Sequence, residues 1–277
     1  MVTRGTTPEG ARTEEQAATW VRGMFGRIAP RYDLLNHLLS FNIDRWWRAR
    51  TVKRVAGVLN RPDGRVLDLC CGTGDLMLAL EARRGAPVLG SDFSHPMLLE
   101  ARRKVTAKRR GSVVFESDAL RLPLADASLD LVTIAFGFHN LANYRDGLRE
   151  LLRVLRPDGM AAILEFSQPT SRLIAAGYGF YSRQVLPRVG GWISGSPEAY
   201  TYLPESVRKF PGAEELAAEM REAGFQRVEF DRMMGGIVAL HLGVGATRCI
   251  TSPAVFSAPG RAVSGTRQPR PESREAE

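Results

Sequence analysis

The residues of this chain best suited to chemistry are carboxylates set around a tight glycine turn. Asp68 and Asp75 bracket the run Cys70-Cys-Gly-Thr-Gly74. Asp92 lies about 20 residues further on, the spacing at which a carboxylate meets the two hydroxyls of a ribose. Gly72 and Gly74 suit a turn that needs unusual backbone angles and brings a ligand close to the main chain. The dinucleotide pattern G-x-G-x-x-G is not completed, because Met77 stands at its third glycine position. Two carboxylates beside the turn would repel a pyrophosphate and attract a cation. S-adenosylmethionine is a sulfonium with an ammonium group and no phosphate, so it fits this turn better than a nicotinamide dinucleotide. An ordinary strand–turn–helix corner would account for the glycines but not for Asp92.

Other groups fall near the same ligand. Thr73, between the two glycines, offers a hydroxyl and a backbone amide to the cofactor's carboxylate. Asp68, closing the first strand, is placed to attract the sulfonium or ammonium; its plainer role is a turn brace. Asp118, in Ser117-Asp-Ala119, can accept from the adenine amino group, against the plainer role of a helix cap. The fourth strand ends in Phe136-Gly-Phe-His-Asn140, where a methyl acceptor would face the sulfonium. His139 is the candidate base there, although a lone histidine in apolar surroundings is commonly a satisfied core residue.

These residues need a scaffold that gathers them at one edge. Short apolar strands are expected at 65–69, 87–91, 112–116, 130–135 and 159–165, alternating with helices, which indicates a parallel α/β sheet. In such a sheet ligands bind beyond the carboxyl ends of the strands, where all of these candidates lie. Ser94 is the expected N-cap of the helix that carries Met97, Leu98, Ala101 and Val105. Residues 20–60 read as N-terminal helices. The segment 170–211, dense in aromatics and glycine, breaks the alternation and reads as a lid. A helix near 213–223 and a strand pair at 226–232 and 236–242 complete a domain spanning 20–245. Residues 1–19 and 246–277 are polar and are expected to be disordered.

Composition excludes several classes. With 277 residues and 44% hydrophobic content the chain can bury a full core. Its three cysteines, two of them adjacent, make no disulfide framework or metal pattern, and four scattered histidines add none, so no metal is expected. No apolar run reaches the roughly 18 residues of a membrane span, and no apolar signal core is seen, so the expected home is the cytoplasm. The net charge of +8 is partly local, crowded into Arg102, Arg103, Lys104, Lys108, Arg109 and Arg110. A solvated helix end, where positive charge suits the helix dipole, is the plain reading of that run; anionic lipid on the inner face of the plasma membrane comes next, and no nucleic acid is expected because no aromatics interleave with it.

Taken together, several runs resemble the ubiquinone/menaquinone biosynthesis C-methyltransferases, the UbiE/MenG family. They are Met24 to His37, Asp44 to Arg48, Asp68 to Asp75, Thr133 to Asn140, Leu164 to Ser167, Tyr200 to Ser206 and Gly236 to His241. The resemblance runs in order through about residues 20–245. It implies a class I, Rossmann-like fold: a mostly parallel seven-stranded sheet with helices on both faces and a helical, aromatic lid. Matched by position, the family's S-adenosylmethionine contacts fall on Thr73, Asp92, Asp118 and Ala119. The implied reaction is C-methylation of demethylmenaquinol to menaquinol, with the equivalent step on the ubiquinone precursor, another small phenol or an inactive nucleoside binder as alternatives. The family usually reads Phe-Gly-Leu-Arg-Asn, so His139 replaces its arginine; Ala135 stands where a serine is frequent.

A prenylated quinol also implies apolar walls and reversible membrane contact. Tyr32, Leu35, Trp46 and Trp47 are expected to form one wall, and Tyr178, Phe180, Tyr181, Trp192, Tyr200 and Tyr202 the lid. Tyr32, Asn36, Trp47, Asn140 and Tyr200 are the residues expected against the substrate. A homo-oligomer is left open.

Overall fold

Short, mostly apolar strands buried on both faces, with helical periodicity between them, produce a layered α/β domain. The computed structural model describes residues 5–194 and 197–245. The expected tail at 246–277 and the side chain of Trp192 lie outside the described residues. In chain order the elements are α1 (Glu14–Ile28), α2 (Tyr32–Leu39), α3 (Ile43–Arg54), α4 (Ala56–Leu59), β1 (Val66–Leu69), α5 (Asp75–Arg84), β2 (Leu89–Asp92), α6 (His95–Ala107) and β3 (Val113–Glu116). There follow β4 (Leu129–Ala135), α7 (Tyr144–Val154), β5 (Leu155–Phe166), α8 (Arg172–Phe180), α9 (Leu186–Ser194), α10 (Pro197–Lys209), α11 (Ala213–Ala223), β6 (Arg227–Met233) and β7 (Val238–Val244).

The strands form one seven-stranded sheet in the order β3-β2-β1-β4-β5-β7-β6. Only β7 runs antiparallel to its neighbours. The chain order reverses between β1 and β4, and that switch point opens a crevice at the carboxyl edge. Successive side chains serve opposite faces. Val66, Leu131, Ala162 and Leu164 join α3, α5 and α6 in one core. Leu67, Leu69, Val132, Ile134, Ala161 and Ile163 join α7 and α11 in the other. A third cluster, with Val21, Met24, Leu35, Met97, Tyr200 and Tyr202, joins the N-terminal helices to the α9–α10 segment.

Two local expectations are corrected. Residues 5–19 are ordered rather than mobile. Thr13 caps α1 by accepting from the Gln16 amide, Thr6 donates its amide to the Leu141 carbonyl at 2.8 Å, and its hydroxyl meets Tyr202 Oη at 2.6 Å. The polar composition hid an amphipathic stripe, Ala17, Val21, Met24 and Ile28, that crosses the expected boundary. Ser94 precedes α6, but its buried hydroxyl makes no cap bond. Instead, Asp92 Oδ1 accepts the Ser94 amide at 2.9 Å.

Candidate active site

The glycine turn is held in shape by the carboxylate beyond it. Gly74 adopts φ +84 at the N-cap of α5, and a β-carbon there would lie 3.0 Å from Met77 Cε and 3.4 Å from Ala101 Cβ. A left-handed angle and close packing together demand glycine. Gly72, at φ +53, donates its amide to Asp92 Oδ2 at 2.9 Å. Burial pushes the Asp92 carboxyl up to about 6, while amide donors from Ser94, Gly72 and Phe93 pull the other way. Two residues near the switch point, Cys70 and Phe136, are also held at positive φ, which is uncommon for side chains of that size.

A cleft opens over this turn. Its floor contains Gly72, Asp92, Phe93, Ser117, Asp118 and Ala119, and its roof contains Ala18, Phe25 and Tyr32. Asp118 Oδ1 accepts the Leu120 amide at 2.9 Å, leaving its other oxygen for a ligand. Asp92, Asp118, Ala119 and Gly72 are therefore brought together as the sequence implied. A carboxylate at the end of β2, another after β3 and exposed backbone at the turn form a donor–acceptor set suited to an adenosyl group.

Thr73, Asp68 and Gly74 do not line this cleft. The Thr73 hydroxyl donates to Asp33 Oδ1 at 2.5 Å and accepts from Lys104 Nζ at 3.0 Å. Lys104 also pairs with Asp33 at 2.5 Å and Asp75 at 2.6 Å, so the knot ties α2 and α6 to the turn. Asp68 is buried between β1 and β4 and accepts from Thr133 Oγ1 at 2.6 Å. Burial raises its carboxyl to about 7, which matches a brace rather than an exposed cation trap.

Beside the cleft lies a larger cavity of about 400 Å³, walled mostly by apolar side chains. It contains Tyr32, Asn36, Trp47, Asn140 and Tyr200 from the sequence expectation, together with His139, Tyr178, Tyr181 and Tyr202. Leu35, Trp46 and Phe180 are not among its walls: Leu35 is fully packed in the third cluster, while Trp46 and Phe180 face outward. Phe25, Tyr32, Phe136 and Asn140 belong to both spaces, so the two chambers meet across one layer of side chains. Burial raises the Tyr32 phenol to about 12, so it stays protonated.

Besides its tyrosines, the larger cavity is lined by the polar side chains of Asn36, Ser40, Asp44, Arg48, His139, Asn140 and Ser182, with Arg48 paired to Asp44. His139 is almost fully buried, and its Nδ1 meets Glu165 Oε2 at 2.8 Å. The other carboxylate oxygen accepts the His139 amide at 3.2 Å. Asn140 Oδ1 accepts from Tyr202 Oη at 3.0 Å, which orients the amide and leaves buried Nδ2 without a partner. The buried Trp47 indole Nε1 likewise has none. An unpaired buried donor is expensive unless a ligand satisfies it. Sequence reasoning missed Glu165, Tyr202's orienting role and the Asp33–Lys104 knot. Glu165 left one signal, a charge inside the otherwise apolar run Ala161–Phe166.

Comparison with known proteins agrees with this geometry. A model described as the ubiE/COQ5 methyltransferase family matches residues 11–245. A demethylmenaquinone methyltransferase of Thermus thermophilus is 49% identical over 221 residues, covering 79% of this chain and 99% of the relative. Another, from Deinococcus radiodurans, is 46% identical over 246 residues, covering 88% and 99% respectively. In fold, the chain resembles a SAM-dependent methyltransferase of Thermotoga maritima with a TM-score of 0.57 at 20% identity, covering 80% of this chain and 98% of that one.

Proposed function

Because the chain belongs to the ubiE/COQ5 methyltransferase family and uses S-adenosylmethionine, we propose that it methylates a ring carbon of demethylmenaquinol to give menaquinol. The observation that carries this reading is the shared wall of Phe25, Tyr32, Phe136 and Asn140. These four residues border both a cleft with nucleoside-binding carboxylates and an apolar chamber large enough for a prenylated ring. Both relatives named above carry the menaquinone assignment and match this chain over almost their full length.

Asp92 takes the ribose hydroxyls and Asp118 the adenine amino group, with Ala119 beside it. Thr73, Gly72 and Gly74 shape the turn under the methionine end, and Asp68 braces it. S-adenosylmethionine, when bound, supplies an electrophilic methyl group. The chain must present an electron-rich ring carbon in line with that methyl. A modest turn of the Trp47 and Asn140 side chains would bring Nε1 and Nδ2, both enclosed in this state, onto the ring oxygens, while Tyr32, Asn36 and Tyr200 bound the ring. His139, held by Glu165, takes the hydroxyl proton on its remaining nitrogen.

A phenol near pKa 10 makes full loss of the hydroxyl proton at neutral pH, ahead of methyl transfer, uphill by roughly 4 kcal/mol. Proton removal therefore accompanies methyl transfer, eased by the two donors on the ring oxygens. Holding ring and methyl in line contributes roughly 7–11 kcal/mol. Helices α8–α10 close the chamber as a lid against water. No helix among the described residues is long and apolar enough to cross a membrane, so an enzyme acting on this lipid would reach it from the bilayer surface.

The test is incubation with methyl-labelled S-adenosylmethionine and demethylmenaquinol. Label should enter the ring. Retained donor binding with no label in the quinol, or label only in 2-polyprenyl-6-methoxy-1,4-benzoquinol offered in parallel, would overturn the reading.

A further inference from the structure

Among the described residues, several large apolar side chains that face outward gather around the α2–α3 corner and α8. Leu34, Leu38 and Phe41 follow one another at helical spacing from α2 into the α2–α3 corner, and they are 60%, 47% and 74% exposed. Leu173 and Phe180 share one face of α8 at i, i+7, exposed by 83% and 64%, and no residue of α8 is buried. The two stripes adjoin. The Phe41 ring centroid lies 6.3 Å from that of Tyr181, and Tyr181 Oη donates to the Leu39 carbonyl at 2.6 Å. Ile174 packs over Gly235, which brings Met234 to the same edge. Phe41, Ile174 and Met234 are also walls of the large cavity, so the patch surrounds its mouth.

The charge on this face has one sign. No Asp or Glu occurs between Glu165 and Glu198, whereas Arg172, Arg183 and Arg188 do. Arg172 and Arg183 are exposed beside the α8 stripe, and Arg45 is exposed on α3. A symmetric pairing of two copies through α8 would set these guanidiniums against one another with no carboxylate in the segment to answer them. Anionic headgroups answer them directly, and the apolar stripes suit the headgroup–acyl boundary.

We propose that the α2–α3 corner and α8 together dock on an anionic lipid surface, with Leu34, Leu38, Phe41, Leu173 and Phe180 entering the boundary and Arg172 and Arg183 meeting phosphates. The mouth of the large cavity then opens against the bilayer, and a lipid tail passes from one apolar medium to the other without crossing water. That route rests on the acceptor proposed above; the docking itself does not. The docking does not depend on Arg109 and Arg110 at the end of α6.

Co-sedimentation of the full chain with phosphatidylglycerol/phosphatidylcholine vesicles at low salt tests the surface without any acceptor. Wild type should partition to anionic vesicles and weakly to pure phosphatidylcholine. Leu173→Glu/Phe180→Glu, at positions that do not line the cavity, should reduce partitioning by about tenfold or more. Arg109→Glu/Arg110→Glu on the α6 run should change it by no more than about twofold. Unchanged affinity for S-adenosylmethionine shows that each variant is folded. The proposal is overturned if wild type does not sediment, if the α8 variant sediments like wild type, or if the α6 variant loses as much as the α8 variant. A dimer in analytical ultracentrifugation that the α8 variant dissolves would also overturn it, by assigning the face to a second copy.

Discussion

Glu165 accepts the Nδ1 proton of His139 at 2.8 Å inside a nearly solvent-free pocket, and the backbone amides of His139 and Phe166 complete its hydrogen bonds. This pairing selects the tautomer that leaves Nε2 as the acceptor. His139→Ala should reduce turnover by about 100-fold or more while donor affinity stays intact. Glu165→Gln should lower kcat by about tenfold to 100-fold with KM little changed, and ¹⁵N spectra should show loss of the Nδ1–H tautomer. A Glu165→Gln enzyme with full kcat would remove Glu165's positioning role.

Asp92 is held near pKa 6 by burial, yet it must be ionised to accept two ribose hydroxyls. Donor affinity should therefore weaken as pH falls through about 6, approaching tenfold per unit. Asp92→Asn should bind the donor about 10- to 100-fold more weakly and flatten that pH dependence. Calorimetry between pH 5 and pH 7.5 reads both effects. An unchanged slope in the variant would separate Asp92 from the ribose.

Asp68 makes a stability prediction of opposite sense to most carboxylates. Its folded-state pKa, about 7, lies above the ordinary value of 3.8, so its stabilising contribution is fully present below about pH 4 and is lost progressively as pH rises from there through 7. At pH 8 the buried charge is penalised by roughly 4 kcal/mol relative to an exposed carboxylate. Asp68→Asn keeps an acceptor for Thr133 without that charge. Urea titration should find the variant more stable than wild type at pH 8 and not at pH 5.

Trp47 and Asn140 each bury a donor with no partner in the protein. Trp47→Phe should raise the acceptor KM about tenfold, leave donor affinity unchanged and cost the apo protein little or no stability, since a desolvated N–H disappears with it. Asn140→Ala should also raise KM, and Tyr202→Phe should do so more weakly by freeing the amide to turn. Steady-state kinetics with the quinol varied would reveal an unchanged KM if the donors face no substrate oxygen.

Local chemistry made the sheet and the nucleoside cleft legible. Periodicity places β1 to β5 within a few residues of where they lie, and the Gly72–Asp92 spacing is a property of one strand–turn–helix–strand unit. What escaped depends on contacts far apart in sequence. The Thr73 hydroxyl has partners, Asp33 and Lys104, that only two other helices bring to it. Asp68 reads as a cation trap until Thr133 covers it. The same holds for Phe180, whose outward direction is decided by how α8 rests on its neighbours. His139 gains its orientation from a glutamate on another strand.

The four residues common to both chambers make them neighbours with a single party wall. An occupant of either side meets Phe25, Tyr32, Phe136 and Asn140, the same side chains that an occupant of the other side meets. Whatever factor the quinol applies to the grip on the nucleoside, the nucleoside returns to the quinol in equal measure.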